Sequence, residues 1–180
     1  GTMTGAPITV NASSGLATYT SVVHTAVQTG VQLTASYAGL TSAVSNTFNV
    51  AATSGTTDHF RTATGFTTGN WNSTGTWESS PDNSTWVAAT QTPTSAASSV
   101  TIRTGAVTVS TPQSAKLLTI QAGAVLVHNA GTTFTIADDG SANHDFVVQG
   151  RYEINGEQPT LNSGATGIIY TNAEVRANDN

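Results

Sequence analysis

The chain has no cysteine, a single methionine and very few charges. Lack of cysteine excludes disulfides, thiolate metal sites and thiol catalysis. Charged residues make up 8% of the 180, against roughly 25% in ordinary soluble domains. The formal net charge is −5, and the only cations are four arginines and one lysine. So small a supply argues against nucleic acid and anionic membranes, both of which are held by basic patches. No apolar run approaches the ~18 residues of a membrane-spanning helix, so membrane insertion is not expected. The chain opens at Gly1 without a start methionine or a leader, and is expected to be a processed product or an excised piece of a longer protein.

Ser, Thr, Asn, Gly and Ala fill the place of the missing charges. Disorder usually pairs low hydrophobicity with high net charge. Here hydrophobic residues reach 37% and alternate regularly, which predicts ordered β-structure with a neutral polar surface. A surface rich in Thr, Ser and Asn and poor in Lys leans towards an extracellular or cell-surface location.

The organising stretch is Val100-Thr-Ile-Arg-Thr-Gly-Ala-Val-Thr-Val109, followed by Leu118-Thr-Ile-Gln-Ala-Gly-Ala-Val-Leu-Val127. Leu118 follows Val100 by 18 residues, and six of the ten paired positions are identical. A weaker third copy is expected from Phe134-Thr-Ile136, and a fourth from Phe146 to Ile154. Short-period self-similarity marks a solenoid, whose coils bury their apolar faces only against neighbouring coils. Alternation within Val-Thr-Ile and Val-Thr-Val sends apolar side chains to one face and threonines to the other. Gly105 and Gly123 are placed at corners, where a positive φ or close backbone approach is needed.

Residues 1–50 read as four strands, Ile8–Val10, Leu16–Val23, Val31–Tyr37 and Val44–Val50, punctuated by Gly15, Gly30 and Gly39. That spacing suits a β-sandwich. Ser14-Gly-Leu-Ala-Thr-Tyr-Thr20, Gly30-Val-Gln-Leu-Thr-Ala-Ser36 and Gly39–Val50 resemble the second half of a bacterial immunoglobulin-like repeat. The resemblance implies about three further strands ahead of Gly1. They belong either to a longer parent chain or to another copy that completes the sheet by strand addition. Residues 51–57 read as a linker. Residues 58–99 hold all three tryptophans, in Gly69-Asn-Trp-Asn72, Gly75-Thr-Trp-Glu78 and Ser84-Thr-Trp-Val87, with turn signals at Pro81 and Pro93. With the Val100 repeat behind it, this block resembles the start of a solenoid module in large secreted surface proteins of gliding and polysaccharide-degrading Bacteroidetes. That likeness covers about residues 58–154. It implies export, through the type IX route, but no particular reaction.

The expected fold is therefore all-β: a partial immunoglobulin-like sandwich (1–50), a linker (51–57), an aromatic cap (58–99), β-solenoid coils (100–175) and a tail (176–180). Trp71, Trp77 and Trp86 are the candidate carbohydrate-binding residues, since flat rings stack on sugars; the competing reading, which their place before the first coil favours, is that they plug its end. Asp138, Asp139 and Asp145 are the candidate metal ligands, with calcium the cofactor their oxygens suit. Asp-Asp-Gly is also ordinary turn chemistry, and matches no EF-hand or β-roll spacing. His24, His59, His128 and His144 share no metal-ligand spacing, and His128 is expected at a solvated corner. No nucleophile elbow, phosphate loop or dinucleotide fingerprint is present. Three Asn-x-Ser/Thr sequons, at Asn11, Asn72 and Asn83, are no more than chance in such a composition. The expectation is a non-catalytic structural module of an extracellular adhesin or self-assembling surface filament, associating head-to-tail or by strand completion in trans. The alternative is a carbohydrate-binding accessory module of a secreted polysaccharide-degrading enzyme, whose partners would be glycans.

Overall fold

A computed structural model describes residues 3–4, 9–19, 23–24 and 27–178. The protein is all-β, with 40% strand and no α-helix among the described residues. It divides into two compact units, residues 1–52 and 53–180.

The first unit carries β1 (Met3–Thr4), β2 (Val23–His24), β3 (Gln28–Val31), β4 (Thr34–Ala35), β5 (Ala43–Val44) and β6 (Phe48–Val50). They form three separate antiparallel ladders, β1–β2, β3–β6 and β4–β5. The long strands expected at 31–37 and 44–50 are thus each broken in two. Of the strand expected at 16–23, Leu16 makes only an isolated bridge with Ser13, and residues 20–22 lie outside those described. Ile8 of the first expected strand also lies outside them, and Thr9 and Val10 are in no strand. Val31 is the one buried hydrophobic residue among the described residues of this unit, while Leu16, Tyr37, Leu40 and Phe48 are exposed. Two-stranded ladders of this length bury little apolar surface by themselves.

The second unit begins with β7 (His59–Thr62), β8 (Thr68–Asn70), a 3₁₀ turn at Thr74–Thr76, β9 (Trp77–Ser80) and β10 (Val87–Ala88). It continues through β11 (Ser99–Ile102), β12 (Ala106–Val109), β13 (Gln113–Ala115), β14 (Leu118–Ile120), β15 (Val125–Asn129) and β16 (Phe134–Ile136). The last five strands are β17 (Phe146–Val148), β18 (Arg151–Asn155), β19 (Thr160–Leu161), β20 (Gly167–Ile169) and β21 (Glu174–Ala177). Three sheets result, ordered β10-β9-β7-β11-β14-β17-β20, β8-β12-β15-β18-β21 and β13-β16-β19. From β11 onwards the chain visits the three sheets in turn, and each passage is a rung laid parallel on the one before. β7 and β8 already lie parallel to β11 and β12, so rung geometry starts at His59. Phe134–Ile136 is the third side of a rung, paired with Gln113–Ala115, rather than another copy of the Val100 strand.

Alternation decides which side chains meet inside. Val100, Ile102, Val107 and Val109 are all buried, with Thr101 and Thr108 between them facing out of the core. In register they build columns: Ile102, Ile120, Val148 and Ile169 in the first sheet, and Val107, Leu126, Tyr152 and Val175 in the second. The corner between first and second strands varies from rung to rung, and Gly105 turns one of them at φ +72°. A Cβ there would collide with the Thr67 carbonyl, so no other residue fits. The next corner, Gln121–Ala124, is one residue longer than Arg103–Gly105. Val107 consequently faces Leu126, not Val125 as the sequence match suggests. A slip of one residue swaps the two faces of a strand. Leu126 and His128 point inward as a result, while Val125 and Val127 are only half-buried.

Candidate functional site

Among the described residues the candidate side chains fall into four groups. The first is the indole pair. Trp71 and Trp77 are each 1% exposed, with ring centroids 5.0 Å apart edge to face. Trp71 Nε1–H donates to the Pro93 carbonyl (3.0 Å) and Trp77 Nε1–H to the Trp71 carbonyl (2.7 Å). Trp71 also meets Phe134 at 5.4 Å. Trp71 runs on from β8, its amide donating to the Thr108 carbonyl (2.8 Å), and both rings belong to the buried core. Neither ring offers an open face for a sugar. Trp86 is half-buried, and the Arg61 guanidinium sits 4.0 Å from its ring centroid, covering one of its faces.

That guanidinium belongs to a second group on the outer surface of the first sheet. Arg61 Nε–H donates to Glu78 Oε2 at 2.9 Å, and Arg103 approaches the same oxygen at 3.4 Å. Glu78 Oε1 accepts from the Thr64 amide at 3.0 Å. Burial pushes the Glu78 carboxyl up, but the Thr64 amide and the Arg61 guanidinium together outweigh it and hold the carboxyl below the usual range. Arg103 is anchored as well to the Thr62 carbonyl. A carboxylate shared by two guanidiniums on β7, β9 and the corner after β11 ties the end of the stack together. Nothing in the spacing of residues 61, 78 and 103 announces the cluster; antiparallel β9 brings Glu78 opposite Arg61.

The third group is inside the stack. His128 is fully buried, in the column between Val109 and Ile154, which overturns the expected solvated corner. Its Nε2 lies 2.9 Å from the Thr132 carbonyl and its Nδ1 3.2 Å from the Tyr152 hydroxyl. A carbonyl can only accept, so Nε2 carries the proton and Nδ1 accepts from the tyrosine. The two rings are stacked 10° from parallel with centroids 6.5 Å apart. Burial pushes the Tyr152 phenol well above its ordinary range, which keeps it a donor. The network is closed, and serves the core rather than a ligand.

Asp138, Asp139 and Asp145 do come together, each with an oxygen within 4.8 Å of the others. Asp145 is buried, and its two oxygens accept from the amides of Asp139 (2.9 Å) and Thr166 (2.9 Å). Asp138 and Asp139 cap the amides of Gly140 and Ser141, both at 2.8 Å. The Ser141 hydroxyl and amide hold the Asp139 carboxyl below its usual range. Calcium takes six to eight oxygens, and most of those offered here already serve backbone N–H groups. The arrangement suits a turn that splices the third rung onto the fourth.

The two ends of the stack differ. At the first end β9 and β10 pair antiparallel on β7 and cover the edge of the first sheet. β20 and β21 are the last strands among the described residues. Ile169 is 59% exposed, Val175 41% and Leu161 48%, although each continues a column whose earlier members are buried. No described helix is long and apolar enough to cross a membrane. No family model, curated protein or solved structure matches the chain.

Proposed function

We propose that this chain is a non-catalytic structural module of an extracellular adhesin or self-assembling surface filament. In this reading residues 53–178 are a short parallel β-solenoid with an aromatic cap, and the first unit is part of an immunoglobulin-like sandwich. The observation that carries it is the stacking itself: rung after rung is laid parallel on the one before, and the apolar columns are buried between neighbouring rungs. The clustered polar side chains support the reading too, since the Glu78, His128 and Asp145 groups spend their hydrogen bonds on neighbouring rungs. Light scattering of the 180-residue chain, with negative-stain images of the same sample, is the test. Oligomers or filaments are the expected result. A monomer at all concentrations, with residues 1–50 cut readily by protease, would refute assembly as the role.

A second reading, a carbohydrate-binding accessory module, draws its support from Trp86 alone, whose ring is the one indole not sealed inside. Glycan titrations followed by tryptophan fluorescence decide it: a response that Trp86→Ala abolishes favours this reading, and no response rejects it.

A further inference from the structure

The outer face of the first sheet carries guanidinium N–H groups that no acceptor among the described residues meets. Trp86 closes the loop of the β9–β10 hairpin, directly before Val87. Alternation puts it on the same face as Ala88, which is in register with Glu78 and, across β9, with Arg61. The Arg61 guanidinium stacks on one face of the indole. Among the described residues no other ring or guanidinium stacks on Trp86, so its second face is left for a ligand. Beyond Arg61 the row continues through Thr101 and Thr119, which add hydroxyls and no charge.

Donors and acceptors on this face are out of balance. Both Glu78 oxygens are occupied, Oε2 by Arg61 and Arg103 and Oε1 by the Thr64 amide. Asp82, in the same hairpin, accepts from Ser80, Ser84 and Thr85. Arg103 donates through Nε and Nη2 to the Thr62 carbonyl. Both Nη groups of Arg61 and Nη1 of Arg103 are left without an acceptor among the described residues. Two guanidiniums therefore share one carboxylate, in a chain whose net charge is −5. Burial, and after it the Arg61 charge, holds the Arg103 guanidinium below its ordinary range, so Glu78 does not cancel the repulsion between the two.

We propose that this face binds an acidic oligosaccharide, with one sugar ring on the free face of Trp86 and the carboxylate of an adjacent hexuronate unit on Arg61 and Arg103. The inference rests on the carbohydrate-binding reading above and names the class of sugar. The indole stands one layer above the guanidinium it covers, so neighbouring units, not one and the same unit, meet the two groups. A pyranose presents a flat C–H face that an aromatic ring accepts, and a carboxylate offers two coplanar oxygens to a guanidinium fork. A neutral sugar also needs acceptors for its hydroxyl protons, and the carboxylates on this face are already occupied.

The test is calorimetric titration of the 180-residue chain with trigalacturonate, with its fully methyl-esterified form and with a triglutamate peptide. The ester keeps the sugar rings and removes the charge, whereas the peptide keeps the charge and removes the rings. Trigalacturonate is expected to bind at least about tenfold more tightly than either, which is the least that a charge-assisted hydrogen bond contributes. Trp86→Ala and Arg103→Gln are each expected to weaken it by about tenfold, with circular dichroism melts checking that both variants are folded. An ester that binds as tightly as the acid would overturn the acidic-sugar site and leave the carbohydrate reading standing. A peptide that binds as tightly would overturn the sugar, and acid binding that both substitutions leave unchanged would overturn the placement. No response to acid or ester, by calorimetry or by tryptophan fluorescence, would overturn this inference and the carbohydrate reading together.

Discussion

Tyr152→Phe is the most incisive perturbation of the core, because it deletes one oxygen and alters almost nothing else. Tyr152 is nearly fully buried, and its hydroxyl is the donor to His128 Nδ1 at 3.2 Å. Removing it strands an imidazole nitrogen in an interior made of Val109, Phe134 and Ile154. An orphaned buried acceptor costs about 1–3 kcal/mol, and the phenyl ring keeps its contact with Phe146, whose centroid is 5.3 Å away. His128→Leu strands two groups, the Thr132 carbonyl and the tyrosine hydroxyl, for an expected cost of about 2–4 kcal/mol. In the double variant the tyrosine hydroxyl no longer exists to be stranded. The combined cost should fall short of the sum by about 1–2 kcal/mol. Urea unfolding followed by tryptophan fluorescence measures all three, since Trp71 and Trp77 are buried in the same core and Trp71 touches Phe134, which touches His128. Additivity within about 0.5 kcal/mol, or a neutral Tyr152→Phe, would refute the closed network.

Two further outcomes follow from particular side chains. Gly150 fills the two-residue corner between β17 and β18, where a Cβ would strike the carbonyls of Gln121 and Ala124. Gly150→Ala should therefore cost about 3 kcal/mol in urea unfolding, whereas Gly75→Ala, whose Cβ would meet only the Ser73 hydroxyl at 3.8 Å, should sit close to the native value. The alkaline limb of stability should belong largely to Tyr152. Its phenol is raised in the folded state, so below about pH 10 both states keep the proton, and above it only the unfolded chain loses one. Stability should thus fall as the pH rises past about 10, and Tyr152→Phe should flatten that fall; parallel pH profiles for the two proteins would contradict it.

The strands of the stack were legible because period-two alternation is a local property. Val-Thr-Ile and Leu-Thr-Ile fix which face is buried wherever the strand lies, and the 18-residue match correctly aligned Val100 with Leu118. The corners were not legible in the same way. Sequence identity aligned Gly123 with Gly105, but the chain spends one more residue at the second corner, and this moved His128 from surface to core. Phe134-Thr-Ile136 resembles Val-Thr-Ile because every sheet of such a stack asks for the same alternation, so similarity alone could not say which sheet it joins. The Arg61–Glu78–Arg103 cluster depends on β9 reversing direction, and no short-range pattern encodes that. The reversal from Arg151-Tyr-Glu to Glu174-Val-Arg was in plain sight, but its meaning depends on the register that stacks the two segments.

The scarcity of charge makes sense in such a stack. Rungs whose interiors are Val, Ile and Leu and whose exteriors are Thr and Ser are nearly interchangeable, so apolar columns alone do not say where a stack should stop or which neighbour should follow. Discrimination then falls to the few groups that cannot be paired arbitrarily. All four arginines are engaged with glutamates: Arg61 and Arg103 with Glu78 near the first rung, Arg151 with Glu153 on β18 and Arg176 with Glu174 on β21. On β7 and β9 the carboxylate is consumed internally, shared between two guanidiniums. On β18 and β21 the sign alternates along and across the strands, Glu174 in register with Arg151 and Arg176 with Glu153, so the ion pairs hold the register of successive rungs.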